Sequence, residues 1–106
     1  MNEMEFSRAC EALFARVEDA VDALGLDFES MRSGNVLTLE SDGGEQIVIN
    51  QHAPTMQVWL ASGRLGGLHF TLRDGLWLST RTGETFASAL GKALGAACGE
   101  PVSLEL

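Results

Sequence analysis

The order of hydrophobic patterns along the chain restricts its fold more than any other feature of the sequence. Near the N-terminus, apolar side chains recur at steps of three and four, which predicts one face of a helix of about 20 residues. Gly25 follows the pattern, and we predict that the helix ends there. The apolar face comprises Phe6, Cys10, Leu13, Phe14, Val17, Val21 and Leu24.

A second helical pattern lies near the C-terminus. We predict that Thr82 caps its start, with Glu84 in the first turn, and that Gly99 and Pro101 end it. Its apolar face comprises Phe86, Leu90, Ala93, Leu94 and Ala97. The tail after Pro101 alternates weakly, and we expect it to lie over the helices.

The segment between the two helices alternates apolar and polar residues, which is typical of half-buried strands. Short turns such as Asp74-Gly75 imply antiparallel neighbours. We therefore predict an α+β, two-layer sandwich in which both helices pack on one face of a five- to six-stranded antiparallel sheet. A single domain would span residues 1–106. The predicted strands cover residues 28–32, 35–40, 46–50, 56–61, 68–72 and 76–78.

Several functional classes lack support in the sequence. No apolar run approaches the roughly 20 residues of a membrane span, and the first residues carry acids where a secretory signal carries Lys or Arg, so we expect a cytoplasmic protein. The phosphate-binding, zinc-protease and serine-hydrolase motifs GxxxxGK[ST], GxGxxG, HExxH and GxSxG do not occur, and we expect no enzyme. Cys10 and Cys98 lack metal or redox spacing, so both should be free thiols, with Cys10 buried.

Negative charge is concentrated at the start of the chain. The net charge is −8, and residues 1–30 hold eight acids against two bases. Such a surface repels nucleic acid and suits cations or a basic protein. Helical spacing places several carboxylates in one row, which two further acids extend onto the first strand, while Arg16 offsets part of the charge. We call this set the acidic ridge: Glu11, Glu18, Asp19, Asp22, Asp27 and Glu29.

Carboxylate oxygens are hard ligands for iron, manganese, magnesium or calcium ions. An open helix face cannot enclose an ion, so the acidic ridge predicts weak and poorly selective binding. The alternative interpretation is an ordinary solvated helix face.

The face of the sheet opposite the helices offers a second candidate surface. If Met56, Val58 and Leu60 point to the helices, then Gln57 and Trp59 point away. An exposed tryptophan is a common binding anchor. The alternative is that Trp59 lies flat on its own sheet or under a loop. Trp77 is predicted to be in the core.

One run of residues carries a family resemblance. Residues 50–62 read NQHAPTMQVWLAS, which resembles the frataxin pattern N-x-x-x-P-x-x-Q-x-W-L-A/S-S. Asp74-Gly75-Leu76-Trp77 is similar to the family's following hairpin, and both helices resemble those of bacterial, CyaY-type members. The resemblance covers essentially the whole chain.

The resemblance implies a role in iron–sulfur cluster assembly, as a regulator or iron donor acting on the complex of a cysteine desulfurase with its scaffold protein. It implies weakly bound iron (Fe²⁺ or Fe³⁺), or other divalent cations, on the acidic ridge, and a monomer that can form metal-dependent oligomers. Ala23 and Gly25 stand where bacterial relatives often have further acids. The partner-binding residues that the resemblance implies are Glu18, Asp19, Asp22, Asn50, Gln57 and Trp59.

Three alternatives remain at this point. The first is an iron store or chaperone that holds metal for delivery. The second is a ferroxidase, for which the sequence has no Glu-x-x-His motif. The third is a generic acidic interaction module unrelated to iron.

Overall fold

The computed structural model describes all 106 residues and has the predicted helix–strands–helix order. Two α-helices, six strands and one 3₁₀ turn form the fold. The helices are α1 (Glu3–Ala23) and α2 (Phe86–Cys98), and the 3₁₀ turn is Ala53–Thr55. The strands are β1 (Phe28–Ser33), β2 (Val36–Ser41), β3 (Gln46–His52), β4 (Gln57–Ser62), β5 (Gly66–Arg73) and β6 (Leu76–Ser79).

The strands form one antiparallel sheet in sequence order, from β1 at one edge to β6 at the other. Both helices pack on the same face, which confirms the predicted two-layer sandwich. The core lies between the layers, because alternate residues of β2, β3, β4 and β6, together with Phe70 of β5, are buried against the helices. The buried strand residues include Leu37, Leu39, Ile47, Ile49, Val58, Leu60, Phe70 and Trp77.

Helix α1 has the predicted apolar face and a well-formed start. The Asn2 side chain accepts a hydrogen bond from the Glu5 backbone N–H at 2.8 Å, and the Glu5 carboxylate accepts one from the Asn2 N–H at 3.2 Å. Leu24 was predicted on the buried face, and this is wrong, because it caps the helix and is 48% exposed. Gly25 follows with φ 65°, the left-handed conformation that a glycine adopts readily.

Helix α2 begins later than predicted. Its cap is Thr85, whose hydroxyl accepts a hydrogen bond from the Ser88 N–H at 3.2 Å, so the assignment of the cap to Thr82 is wrong. Thr85 still forms a bridge to Leu78 of β6, and the Glu84 carbonyl accepts from the Ser79 N–H at 2.8 Å. The chain is therefore still pairing with β6 where the sequence pattern placed the first turn of the helix.

The start of β4 is also displaced. Met56 was predicted as its first inward residue, but Met56 ends the 3₁₀ turn in a left-handed conformation with φ 52°. The strand therefore begins at Gln57, and β3 extends to His52 rather than stopping at Asn50. Neither helix is long and apolar enough to cross a membrane.

The C-terminal tail lies over the helical layer, as expected. Val102, Leu104 and Leu106 pack against the core without forming a strand. Two glycines of α2 leave room for it: a β-carbon at Gly91 would stand 2.8 Å from the Val102 carbonyl oxygen, and one at Gly95 would stand 2.9 Å from the Glu100 carbonyl oxygen. The tail thus contacts the helix backbone closely.

Candidate functional site

Two carboxylates of the acidic ridge share one arginine. Arg32 of β1 donates from Nη1 to Glu11 Oε2 and from Nη2 to Glu18 Oε1, each at 2.5 Å. Its guanidinium carbon lies 5.4 Å from the centre of the Phe14 ring. The hydrogen bond to Glu18 is the main cause that raises the pKa of Arg32 above its usual value. Sequence analysis assigned no role to Arg32.

The strand register explains why Arg32 reaches the helix. Arg32 stands opposite Leu37, a buried residue on the helix-facing side of the sheet. Directly opposed residues project to the same face, so Arg32 points toward α1 from the edge strand. Gln51, nearly buried on β3, also approaches this group, with its Nε2 3.4 Å from Glu11 Oε1.

Asp19 and Asp22 have a different environment. Both are exposed on α1, one helical turn apart, and neither takes part in any of the salt bridges of the structure. Arg16, expected to offset part of the charge, forms no ion pair either. These two aspartates are the open part of the ridge on the helix.

The acids near β1 form a third group. Glu29 stands opposite Glu40 of β2, on the face of the sheet turned away from α1. Asp27 and Asp42 flank this pair around a shallow open depression. The structure therefore brings Glu29 together with Glu40 and Asp42, which sequence analysis missed, rather than with the helical acids. Counting back from the Gly34-Asn35 turn would have placed Glu40 opposite Glu29.

The acidic ridge thus divides by pairing rather than by distance. Glu18, which pairs with Arg32, lies one helical turn from the unpaired Asp22, and both line one shallow depression. No three His, Cys, Asp or Glu side chains are positioned to hold a metal ion together. The donors are hard oxygens, and those of Asp19 and Asp22 are open to water. This donor set fits a hydrated hard cation held loosely and mostly through its water shell, since a tightly bound ion needs several ligands around it.

Trp59 lies on the open face of the sheet, as the alternation predicted. Its indole is sandwiched between the imidazoles of His52 and His69, with ring centres 3.9 and 4.3 Å apart and the planes within 14° of parallel. Its Nε1–H donates to Gln57 Oε1 at 2.9 Å. Asn50 stands opposite Trp59 on β3. The tryptophan therefore faces outward and is also half-buried by its neighbours.

The three predicted sheet residues Asn50, Gln57 and Trp59 do form one surface, which the two histidines complete. His69 lies on this face because it stands opposite Trp59 on β5. His52 falls outside the predicted strand of residues 46–50, but β3 continues to residue 52 and includes it. Its Nδ1 is 2.7 Å from Thr55 Oγ1. We call His52, Asn50, Gln57, Trp59 and His69 the tryptophan surface.

The two cysteines have opposite environments, and neither belongs to the surfaces above. Cys10 is fully buried on the core-facing side of α1, whereas Cys98 is exposed at the end of α2. Burial, with a smaller effect of the neighbouring Glu11 charge, raises the pKa of the Cys10 thiol to about 12. Cys10 is therefore a core side chain, as predicted.

Comparison with known proteins identifies what the chain is similar to. Residues 1–100 match the family described as a frataxin-like domain. The iron-sulfur cluster assembly protein CyaY of Neisseria meningitidis serogroup B is 47% identical over 104 residues, which are 98% of this chain and 96% of that protein. The protein of the same name from Vibrio cholerae is 40% identical, over 96% of this chain and 97% of its own length.

Comparison with solved structures points to the same family. The frataxin of Psychromonas ingrahamii superimposes with a TM-score of 0.92 over the full length of both chains, at 30% identity. A trimeric frataxin of Saccharomyces cerevisiae, complexed with ferrous iron, gives a TM-score of 0.74 at 28% identity and covers 87% of each chain. The chain therefore belongs to the frataxin family, in its bacterial CyaY branch.

Proposed function

We propose that this protein acts in iron–sulfur cluster assembly as a regulator or iron donor, by docking on a cysteine desulfurase and its scaffold protein. The name of its CyaY relatives, iron-sulfur cluster assembly protein, supports the pathway. The site that we assign to docking is the open acidic part of α1, with the tryptophan surface as a second contact.

The observation that carries this proposal is the unpaired state of Asp19 and Asp22. The last turn of α1 has no basic residue, although the negative end of the helix dipole favours cations there. Two unpaired carboxylates near this end therefore lower the stability of the helix. Local conflicts of this kind are expected at functional sites, where stability is traded for binding.

The proposed mechanism is electrostatic. The whole chain carries a charge of −8, so a partner with a basic patch is attracted before contact, and the rate of association rises at low salt. Asp19 and Asp22 accept the partner's lysine or arginine side chains, and the indole of Trp59 supplies apolar contact area. Iron held weakly on the same carboxylates would neutralise them and change the docking.

The test is reversal of the open acids. We expect the double substitution Asp19→Lys and Asp22→Lys to weaken binding to the cysteine desulfurase at least tenfold, measured by titration calorimetry at low and at physiological salt. The matched control reverses Asp74 and Glu105, which are exposed, lie outside the acidic ridge and carry the same charge. Unchanged affinity of the double variant at low salt would refute the docking surface.

The second contact has its own test. Trp59→Ala should lower the affinity for the complex of desulfurase and scaffold more than for the desulfurase alone, if this surface meets the scaffold. Binding of the two targets is compared for the same variant. Equal affinities of variant and wild type for both targets would remove the tryptophan surface from the proposal.

Iron storage is the second candidate, and one observation favours it: the related yeast frataxin is a trimer in its complex with ferrous iron. Sedimentation of this protein with Fe²⁺ in air separates the two functions. A monomer that stays small supports the regulator, whereas large iron-loaded particles support storage. We also propose that the protein is no ferroxidase, so it should leave the rate of Fe²⁺ oxidation by oxygen unchanged.

A further inference from the structure

The contact between Arg32 and the acidic ridge divides the carboxylates of α1 into two classes. Glu11 and Glu18 stand seven residues apart, about two turns of one helix face. One guanidinium spans them, with both of its terminal nitrogens engaged at 2.5 Å. Asp19 and Asp22, on the same helix, have no such partner.

The position of Arg32 is fixed by more than its two ion pairs. The side chain leaves the helix-facing side of β1, and its guanidinium lies against the Phe14 ring. Only 31% of its side chain is exposed. A cation that is held by a strand, an aromatic ring and two carboxylates loses little further freedom by staying in place.

We propose that Arg32 is an internal competitor that occupies Glu11 and Glu18, so that on the helical part of the ridge only Asp19 and Asp22 stay open to external cations and basic partner side chains. This inference rests on the proposed function, because it concerns the same surface. The guanidinium takes the place that a metal ion or a partner's arginine would take. Part of the acidic ridge is therefore already neutralised within the folded chain.

The expected change in cation affinity follows from how exposed the two ion pairs of Arg32 are. An exposed ion pair changes an equilibrium constant by about 1.5- to 5-fold. An external cation must displace both pairs to reach Glu11 and Glu18 together. Removing Arg32 should therefore tighten cation binding at these two residues by about three- to tenfold.

The test uses Ca²⁺ alone, titrated into ¹⁵N-labelled protein while amide chemical shifts are followed. In Arg32→Gln, the Glu11 amide should respond at three- to tenfold lower Ca²⁺ concentration than in the wild type. Glu11 is the informative position because it is eight residues from Asp19, about 12 Å along the helix. The matched control is Arg16→Gln, which removes the same charge from α1 without vacating a carboxylate.

Two further variants test whether the change in Ca²⁺ binding comes from freeing Glu11 and Glu18. Adding Glu11→Gln and Glu18→Gln to Arg32→Gln should abolish the gain in Ca²⁺ affinity. Arg32→Lys, which retains the charge and the fold but cannot bridge both carboxylates with a planar fork, should give an intermediate response. It also serves as the test if Arg32→Gln proves too unstable to titrate.

Two results would overturn the inference. One is an equal Ca²⁺ response of Glu11 in the wild type and in the Arg32 variants. The other is an equal gain in Arg16→Gln, which would show a general effect of net charge. Neither result involves the desulfurase, so both are distinct from failure of the proposed docking, which is measured with Asp19 and Asp22 reversed.

Discussion

The same thiol group occurs in two contrasting places in this chain. Cys10 is fully buried in the core, and Cys98 is exposed at the end of α2. The thiolate is the reactive form of cysteine, and burial that raises the pKa of Cys10 to about 12 keeps that thiol protonated. The two cysteines should therefore differ in chemistry as strongly as in position.

We expect one thiol per folded chain to react with a disulfide reagent at pH 8, and two after unfolding in urea. Cys98→Ala should remove the fast reaction, and Cys10→Ala should leave it unchanged. Counting released chromophore against time gives both numbers. Rapid reaction of two thiols in the folded protein would contradict the burial of Cys10.

The raised pKa of Cys10 also predicts how stability changes with pH. Above pH 9 the unfolded chain loses the thiol proton while the folded chain keeps it up to about pH 12, so unfolding is favoured as the pH rises. The slope from this group is at most about 1.4 kcal/mol per pH unit. Urea unfolding at several pH values should show the stability difference between wild type and Cys10→Ala shrinking above pH 9.

The β1–β2 hairpin places two like charges directly opposite each other, Glu29 and Glu40. Such a pair destabilises a sheet, and an opposite pair stabilises it by about 0.2–1 kcal/mol. Glu40→Lys should therefore raise the free energy of unfolding by about 0.5–1 kcal/mol at low salt. Urea unfolding followed by circular dichroism measures the change.

The control for this prediction is Glu40→Gln, which removes the repulsion without adding attraction and should give a smaller gain. Both gains should decrease as salt is added, because the pair is on the surface. A loss of stability in Glu40→Lys would mean that the two side chains point apart.

The contact between α2 and the tail predicts a substitution whose effect changes sign. Alanine is about 1 kcal/mol better than glycine inside a helix. At Gly91, however, the added carbon would stand 2.8 Å from the Val102 carbonyl oxygen, so the tail must move. In the full chain, Gly91→Ala should destabilise the protein by about 1–3 kcal/mol.

The chain truncated after Glu100 provides the comparison. Without the tail, the same substitution meets nothing at this position, and Gly91→Ala should stabilise the truncated protein by up to about 1 kcal/mol. Urea unfolding of all four proteins gives the coupling between residue 91 and the tail. The same sign in both backgrounds would refute the close contact.

The sequence alone predicted most elements, and the exceptions have a common physical cause. The apolar steps of three and four identify α1 and α2 from local spacing alone. Thr82 and Thr85 are equally good caps locally, and only the bridge from Thr85 to Leu78 decides between them. That bridge is a tertiary contact, which local patterns do not contain.

In the candidate site, too, local spacing predicted some features, whereas others depend on tertiary contacts. Helical spacing correctly placed Glu11 and Glu18 in one row, but their partner Arg32 depends on which face of β1 it occupies. A one-residue change in strand register exchanges the two faces, so composition and alternation in an isolated edge strand could not decide this. The pairing of Glu29 with Glu40, by contrast, follows once the turn is placed at Gly34-Asn35.

The whole molecule combines a charge of −8 with few ion pairs. Only four carboxylates, Glu11, Glu18, Glu45 and Glu84, pair with a basic side chain. The remaining acids repel one another, most strongly along α1, where the unpaired aspartates lie near the negative end of the helix dipole. Repulsion between exposed charges should therefore outweigh the attraction in the four pairs when salt is low.

We predict that salt stabilises this protein. Raising the ionic strength from about 0.01 to about 1 M shortens the screening length from about 30 to about 3 Å, so repulsion across α1 is largely removed. The free energy of unfolding in urea should rise by about 1 kcal/mol, since each exposed pair of charges contributes a few tenths. Asp19→Asn with Asp22→Asn should be more stable than the wild type at low salt and gain less from added salt. If stability instead falls with salt, the ion pairs of Arg32 and Arg64 dominate, and α1 is not under electrostatic strain.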